Sequence, residues 1–219
     1  MLHGSSSPGV AGSELTRLLA RLADTPMAPQ RPAFAERLGQ WLGWPGAVAL
    51  SAALNAGPAL NGAGRLRRCG DEEAEFQRVR VSLQASIAAG PREPASSPTD
   101  FGPHRRHCIA QQQAMHDAVA ALRRQLRQAL AQQSAQGARL AAIDAVLEQA
   151  LAPQEQALLG LVPLRLQAHF EQLQQRATAE PPWHETFRGD RDRVLQAELA
   201  HRLLPAQGLL HALRNTPTT

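Results

Sequence analysis

The sequence contains no lysine and no tyrosine, and all 23 of its basic residues are arginine. Its 19 acidic residues leave a formal net charge of only +4 at pH 7. The sequence pI near 10.7 is high because nothing is present to titrate at about pH 10. The pI therefore overstates the surface charge, and arginine with abundant alanine is typical of GC-rich coding rather than of a selected phosphate-binding surface.

Cysteine is scarce, since Cys69 and Cys108 are the two in the chain. Two cysteines cannot build the disulfide framework of a small secreted domain, which fits a reducing compartment. The opening MLHGSSSPGVAGS has neither a charged start nor a continuous apolar stretch, so no signal peptide is predicted. No run of about 18 apolar residues is present either, so no membrane-spanning helix is predicted. We therefore expect a cytoplasmic protein.

Runs that alternate apolar and polar residues, the sign of half-buried strands, are missing. Apolar residues instead recur at spacings of three and four, which predicts an all-α fold. Pro45-Gly46 should end the second helix. The predicted N-terminal helices are ELTRLLARLA with Ser13 as its cap, AFAERLGQWLG, AVALSAALN, and a segment from Asp71 to about Ala89, with NAGPALNGAG as a loop.

Residues 90–103, GPREPASSPTDFGP, contain four prolines and predict an extended linker between an N-terminal helical region, 1–89, and a C-terminal bundle, 104–219. A long helix from about Arg105 to Gln133 has no internal glycine or proline. Its heptad-like seam needs a partner helix. The seam consists of Cys108, Met115, Leu122 and Ala129, with Val119, Leu126 and Gln133 in the companion positions.

The remaining C-terminal segments predict an antiparallel helical bundle. Gly137 should break the long helix, and Pro163 should kink a later one. AEPPWHETFRGD, residues 179–190, is predicted as a loop, with Asp190 and Asp192 at a helix start. The predicted helices are LAAIDAVLEQALA, QEQALLGLVPLRLQAHFEQLQQ, DRVLQAELAHRLL and QGLLHALR.

Two motifs resemble parts of ligand-binding sites, but neither contains all the residues that such a site needs. His104 and Cys108 in HRRHC lie one helical turn apart, with His116 further on, but a closed zinc site needs four ligands. The seam favours Cys108 as a small apolar core residue. NGAGRLRR, residues 61–68, lacks the lysine and Ser/Thr of a phosphate loop and reads as a flexible connection. We therefore assign no metal, cofactor or catalytic residue.

Carboxylates and histidines give no enzyme motif either, and no G-x-S-x-G is present. Asp117, Asp144 and Glu148 are single carboxylates on amphipathic helices, where exposed salt bridges are expected. No shared spacing links His169, His184, His201 and His211. The protein is predicted not to be an enzyme.

Arginines and tryptophans remain as candidate binding residues. Trp41 should share a core face with Phe34 and Leu38, whereas Trp44, just before Pro45, is assigned to partner binding. Arg123, Arg124 and Arg127 lie off the seam on a predicted solvated face and are assigned to a partner. For phosphate binding by a nucleic-acid-binding protein, the alternative, the candidates are Arg65, Arg67, Arg68, Arg105 and Arg106.

Several stretches resemble a family of uncharacterised proteobacterial proteins, the domain-of-unknown-function family numbered 3348, over almost the whole chain. The most specific are RLGQWLGWPGAVALSAALN, VLEQALAPQEQALLGLVP and AELAHRLLPAQGLLHALR. The family has no established catalytic residues, so the resemblance carries no active site over to this chain. It implies a setting beside an OmpA-like peptidoglycan-binding protein and a membrane protein similar to flagellar-motor stators, as in the Zorya class of anti-phage defence.

The sequence therefore favours a non-catalytic helical interaction protein, an accessory component beside a membrane assembly. Its expected partners are proteins, either products of adjacent genes or a second copy of the chain, and it should not insert into the membrane. The alternative function is binding of nucleic acid through arginine-rich faces.

Overall fold

The computed structural model describes residues 14–22, 34–55, 69–92, 97, 99–176 and 183–215, and for residues 34–40, 42, 69 and 70 it describes the backbone alone. Within these ranges the chain forms helices and no strand, which confirms the predicted all-α fold. The predicted cap at Ser13 lies outside the described residues, and so does the predicted loop over 55–64 except for Asn55, which ends α2. The helices are α1 (Glu14–Leu22), α2 (Phe34–Asn55), α3 (Cys69–Ala89), α4 (Gly102–Gln133), α5 (Ala135–Leu159), α6 (Val162–Arg176) and α7 (Trp183–Asn215).

A break divides α2 at Gly43, whose backbone has φ 56° and ψ −178°. Glycine suits this position because side chains disfavour positive φ. The predicted end of the helix at Pro45-Gly46 is wrong by two residues. Pro45 instead lies in the first turn of the helical segment that follows, where its missing N–H leaves no hydrogen bond unmade.

The helices on both sides of the predicted linker end and begin close to where the sequence indicates. α3 ends at Ala89, and the Gly90 N–H, at φ 71°, donates to the Ile87 carbonyl at 3.1 Å. α4 begins at Gly102, so the last two residues of the predicted linker belong to this helix. Pro103 fits there because the first turn of a helix needs no N–H donor at that position.

Ser134, and not Gly137, separates α4 from α5. The Ser134 hydroxyl accepts a hydrogen bond from the Gly137 N–H at 3.0 Å and so caps α5. Gly137 is buried in the first turn of α5, and a side chain there would press on the backbone of Leu130. The glycine therefore permits close approach of the two helices rather than ending one of them.

Three prolines lie inside or at the start of helices without interrupting them. α5 continues through Pro153, and the helix predicted to kink at Pro163 is instead divided at Gly160 and Leu161, with Pro163 in the first turn of α6. α7 is a single helix through Pro205, so the predicted division of this segment is wrong. The exposed Pro205 is tolerated because Leu203 and Ala206 continue a buried apolar face on either side.

α7 also begins earlier than the sequence indicates. The predicted loop over 179–190 is wrong from Trp183 onward, because α7 starts there. Asp190 and Asp192 lie inside this helix and not at its start. Their side chains bond to neighbouring histidine and arginine side chains instead of capping a helix.

The seam on α4 is buried except for Ala129 and Gln133, which are half-buried, and its partners come from the same chain. Cys108, Met115 and Leu126 are fully buried in a core that also includes residues of α7 and α6. Gln112 donates to Glu198, and Gln133 donates to the Leu213 carbonyl, so α4 and α7 run in the same direction.

By contrast, α4 and α5 form an antiparallel hairpin. Arg127 bonds to Asp144, while the earlier Arg123 reaches the later Glu148, so the two helices run in opposite directions. An antiparallel arrangement thus describes α4–α5 but not α4–α7.

The N-terminal helices α1 and α3 contribute to the same core as the C-terminal ones. Leu15, Phe76 and Ile87 are buried together with residues of α4 and α7. The division of the chain at 90–103 stays a prediction. α2 packs against α5 and has no other extensive helix contact within the described residues. None of the described helices is both long enough and apolar enough to cross a bilayer.

Candidate functional site

One side of α2 is open to solvent although its residues are mostly apolar. Ala53 is buried, and Gly46 and Leu50 are half-buried, so the side that carries them faces α5. The opposite side, which we call the outer face of α2, consists of Trp44, Ala47, Val48, Ser51, Ala52 and Asn55, all of them exposed.

Trp44 is the largest residue of the outer face, and its side chain is 82 % exposed. Gly43 and Pro45 on either side fix its place at the break in α2. No charged residue occurs between Arg37 and Arg65, so the face is apolar and uncharged. Exposed aromatic residues on an uncharged surface are typical of protein interfaces. The assignment of Trp44 to partner binding stays a prediction.

Trp41, three residues earlier, differs from Trp44 in burial. It is half-buried, in keeping with a partly structural position. The side chains of Phe34 and Leu38, which the sequence puts on its face, lie outside the described residues.

The arginines of α4 do not form the solvated face that the sequence predicts. Only 10 % of the Arg123 side chain and 15 % of the Arg127 side chain are exposed. Asp144 lies 2.8 Å from both guanidinium groups, and Glu148 lies 2.7 Å from Arg127 and 3.2 Å from Arg123. The prediction of a solvated face is wrong for these two, because α5 covers this side of α4.

A pattern in the sequence matches this four-residue network. Two arginines four residues apart on one helix meet two carboxylates four residues apart on the next, which is the arrangement that a tight hairpin brings together. Arg124 is exposed, as are Arg105 and Arg106. Arg65, Arg67 and Arg68 lie outside the described residues. The binding roles assigned to these three arginines and to the three exposed ones stay predictions.

HRRHC and GDRD, far apart in the sequence, meet where α4 and α7 pack together. Arg191 is only 2 % exposed, and its Nη1 donates to His104 Nδ1 at 2.9 Å. Its Nε and Nη2 donate to Asp192 Oδ1 at 2.9 and 2.7 Å. His107 lies buried beside them. We call Arg191, Asp192, His104 and His107 the Arg191 cluster.

Aromatic side chains pack against His104 of this cluster. The ring of Phe187 lies 4.9 Å from that of Phe170 and 5.0 Å from that of His104, and Phe101 and Trp183 pack against Phe170. The His104 ring, which lies against Phe187 and Phe170, is half-buried, and the Asp192 side chain is 32 % exposed. In the sequence, FGPHRRH, AHF and WHETF each put a histidine close to an aromatic residue, but nothing in these segments indicates that they meet.

Burial shifts the pKa values of the titratable groups in this region. Burial first, and then the charge of Arg191, lower the pKa of His104 to about 4. Burial likewise lowers the pKa of His107, whose Nε2 has no hydrogen-bond partner within the described residues. Burial raises the pKa of the Cys108 thiol to about 12. Cys108 is therefore a protonated core residue, as the seam predicts, and not a reactive thiolate.

The arrangement suits a structural role better than a catalytic one. Arg191 uses its donors on His104 and Asp192, and so joins the beginning of α4 to α7. A second pair, His169 Nε2 and Asp190 Oδ2 at 2.8 Å, joins α6 to α7. In the part of the chain that the structure describes, no three His, Cys, Asp or Glu side chains are placed to hold a metal ion.

His104 should make folding stability depend on pH. Its pKa is about 4 in the folded protein, against an ordinary value of 6.5, so between these values the unfolded chain binds a proton that the folded chain excludes. The folding stability that depends on a neutral His104 is therefore fully present above the ordinary pKa of 6.5. It is lost as the pH falls toward the pKa of about 4 that His104 has in the folded protein. We expect a loss of about 2 kcal/mol, allowing for partial exposure of the ring.

Urea unfolding at about pH 7 and about pH 4.5 measures this loss. His104→Gln keeps an acceptor for Arg191 without titrating, so its stability should fall less with pH than that of the parent chain. His116→Gln, at an exposed position of the same helix, is the matched control. An unchanged pH dependence in His104→Gln would rule out the assignment.

Residues 1–215 match the family described as "Protein of unknown function (DUF3348)". The chain belongs to this family. The outer face of α2 and the Arg191 cluster both lie within the part that matches the DUF3348 family. The comparisons with curated proteins and with solved structures found no match. Membership in DUF3348 confirms the family that the sequence resembles, and it assigns no activity.

Proposed function

We propose that this chain is a non-catalytic helical interaction protein that binds an apolar protein surface through the outer face of α2. The observation that supports this most is the 82 % exposure of Trp44 on a face without charge. A tryptophan that a partner protein buries contributes about 2 kcal/mol or more to the free energy of binding. A tryptophan exposed to solvent contributes little to folding stability.

The chemistry of the face favours a protein over nucleic acid or membrane. Phosphate backbones are bound through Arg or Lys, and helices that lie on membranes carry such residues along their polar side. The segment 38–64 has neither. Among the arginines predicted to bind phosphate or a partner, Arg123 and Arg127 are neutralised by Asp144 and Glu148.

The non-catalytic part of the proposal is supported by how the titratable groups are used. His104 accepts from Arg191, Cys108 is buried with a raised pKa, and Asp144 is held by two arginines. A general base or nucleophile needs a free group near a substrate-sized opening. These groups stabilise contacts between helices instead.

We further propose that the protein works in the cytoplasm beside a membrane assembly of an anti-phage defence system. This setting is what the family resemblance implies, and it names the products of adjacent genes as the first proteins to test. The uncharged face would accept an apolar helix from such a protein.

Trp44→Ser and Trp41→Ala separate binding from folding. Because Trp44 is exposed, its replacement should leave the thermal midpoint within about 2 °C of the parent, while capture of protein partners falls at least about tenfold. Trp41→Ala removes a half-buried ring and should cost about 2 kcal/mol of stability.

The measurement pairs thermal unfolding with quantitative co-purification of the tagged chain and identified products of adjacent genes. Equal destabilisation by the two substitutions would make the whole stretch structural. Full capture by Trp44→Ser would contradict the proposal as well.

A further inference from the structure

The outer face of α2 is compatible in charge with a copy of itself. The chain carries 23 basic and 19 acidic residues, but the segment 38–64 contains no charged residue. Two copies can therefore meet along α2 without bringing like charges together. The polar residues of the face, Ser51 and Asn55, are neutral and small.

The face is also compatible in shape with a copy of itself. Its large residue, Trp44, lies at one end, and Ser51, Ala52 and Asn55 lie toward the other. The distance between the two ends is about 17 Å along the helix. In an antiparallel pair, Trp44 of each copy meets the small residues at the far end of the other, and Val48 lies opposite Ser51.

We propose that the occupant of the outer face is a second copy of this chain, which pairs through α2 in an antiparallel, two-fold symmetric contact. This inference rests on the proposed function, because it names the partner of the same face. A two-fold contact uses the same patch on both copies, so each contact between two residues of the patch occurs twice in the dimer.

The exposed area limits how strong this dimer is. Trp44, Val48 and the adjacent exposed Leu54 offer about 350 Å² of side-chain surface per copy, which gives about 700 Å² in total. Stable dimers bury about 1,200 Å² or more, so this contact belongs with the weak, transient interfaces. A weak contact of this kind leaves the face available for another apolar partner.

Sedimentation velocity of the full chain between about 1 and 200 μM tests the inference. We expect the average mass to rise toward that of a dimer across this range. Val48→Glu puts two like charges near the two-fold axis and should raise the dissociation constant at least about tenfold. Val81→Glu, at an exposed valine of α3, is the matched control and should leave it unchanged.

The register is tested by mixing a Val48→Cys chain with a Ser51→Cys chain. Under mild oxidation at the higher concentration, this mixture should form more linked dimer than either variant alone, because the antiparallel register puts these two positions opposite each other. Equal linking in all three samples would overturn the antiparallel contact.

Two outcomes separate this inference from the proposed function. A chain that stays monomeric at about 200 μM but captures a product of an adjacent gene through Trp44 overturns the dimer and leaves the proposed function standing. A monomeric chain without such capture overturns both. A dimer that Val48→Glu does not weaken lies on another surface, and it overturns this inference too.

Discussion

Replacing Gly137 with alanine should destabilise the protein by about 3 kcal/mol or more, one of the two largest effects that we expect. A Cβ atom at this position would collide with the Leu130 carbonyl oxygen and come within 3.0 Å of the carbonyl carbon. Both atoms belong to the backbone, so a rotamer change cannot relieve the contact. The hairpin of α4 and α5 would have to open, and that would strain the core along α4.

The control for Gly137 is Gly208→Ala in α7, where nothing lies within 4 Å of the added methyl group. Alanine at that position should stabilise the helix by about 0.5 to 1 kcal/mol, because glycine is the weaker helix former. Urea unfolding of both variants measures the difference. If Gly137→Ala is as stable as Gly208→Ala, the close contact between the two helices does not exist.

Arg191→Met should cost about 3 to 5 kcal/mol, the second large effect. The substitution removes a guanidinium that is 2 % exposed and leaves His104 and Asp192 without their donor. Unpaired polar groups lose the hydrogen bonds that offset their removal from water. The pKa of His104 should also rise, because the charge of Arg191 is one of the causes that lower it.

Arg193→Met, on the same helix, is the control for Arg191. Its side chain is largely exposed and pairs with Asp190, and exposed ion pairs contribute at most about 1 kcal/mol. Chemical unfolding and NMR titration of His104 read out stability and pKa separately. Loss of less than about 1 kcal/mol in Arg191→Met would show that the cluster does not hold α4 to α7.

The longest regular pattern in the sequence predicted the structure best. The seam of α4 repeats over nearly four heptads without glycine or proline, so its period and its buried face could be read directly. The pattern could not name the partner helix, because periodicity says which side is buried and not what covers it. That same limit made the prediction for Arg123 and Arg127 wrong, since α5 covers a side that the heptads leave polar.

Single glycines and prolines were the least reliable signals. Helix breaks are predicted at Gly137 and between Leu204 and Gln207, yet Gly137 and Pro205 both lie inside helices whose packing outweighs the local preference. Gly43 carries the break that the neighbouring Pro45 was expected to cause. A single glycine or proline thus predicts an irregularity in a helix near that residue better than it predicts which kind of irregularity occurs.

The Arg191 cluster could not have been predicted from local sequence. His104 and Arg191 are far apart in the chain, and each reads alone as an ordinary exposed residue of a polar segment. Only the packing of α4 against α7 makes them neighbours. Trp44, by contrast, was singled out from its position before Pro45, and the structure finds it exposed.

Photo-cross-linking from Val48 in cells of the native host tests most directly whether the outer face of α2 is a binding surface. A photoreactive amino acid at Val48 should give a covalent product with a protein, and mass spectrometry should identify the linked peptide as α2 of a second copy or an apolar helix of an adjacent gene's product. The same amino acid at the exposed Val81 should give little product. Equal, unspecific products at both positions, or none at Val48, would contradict the proposed function.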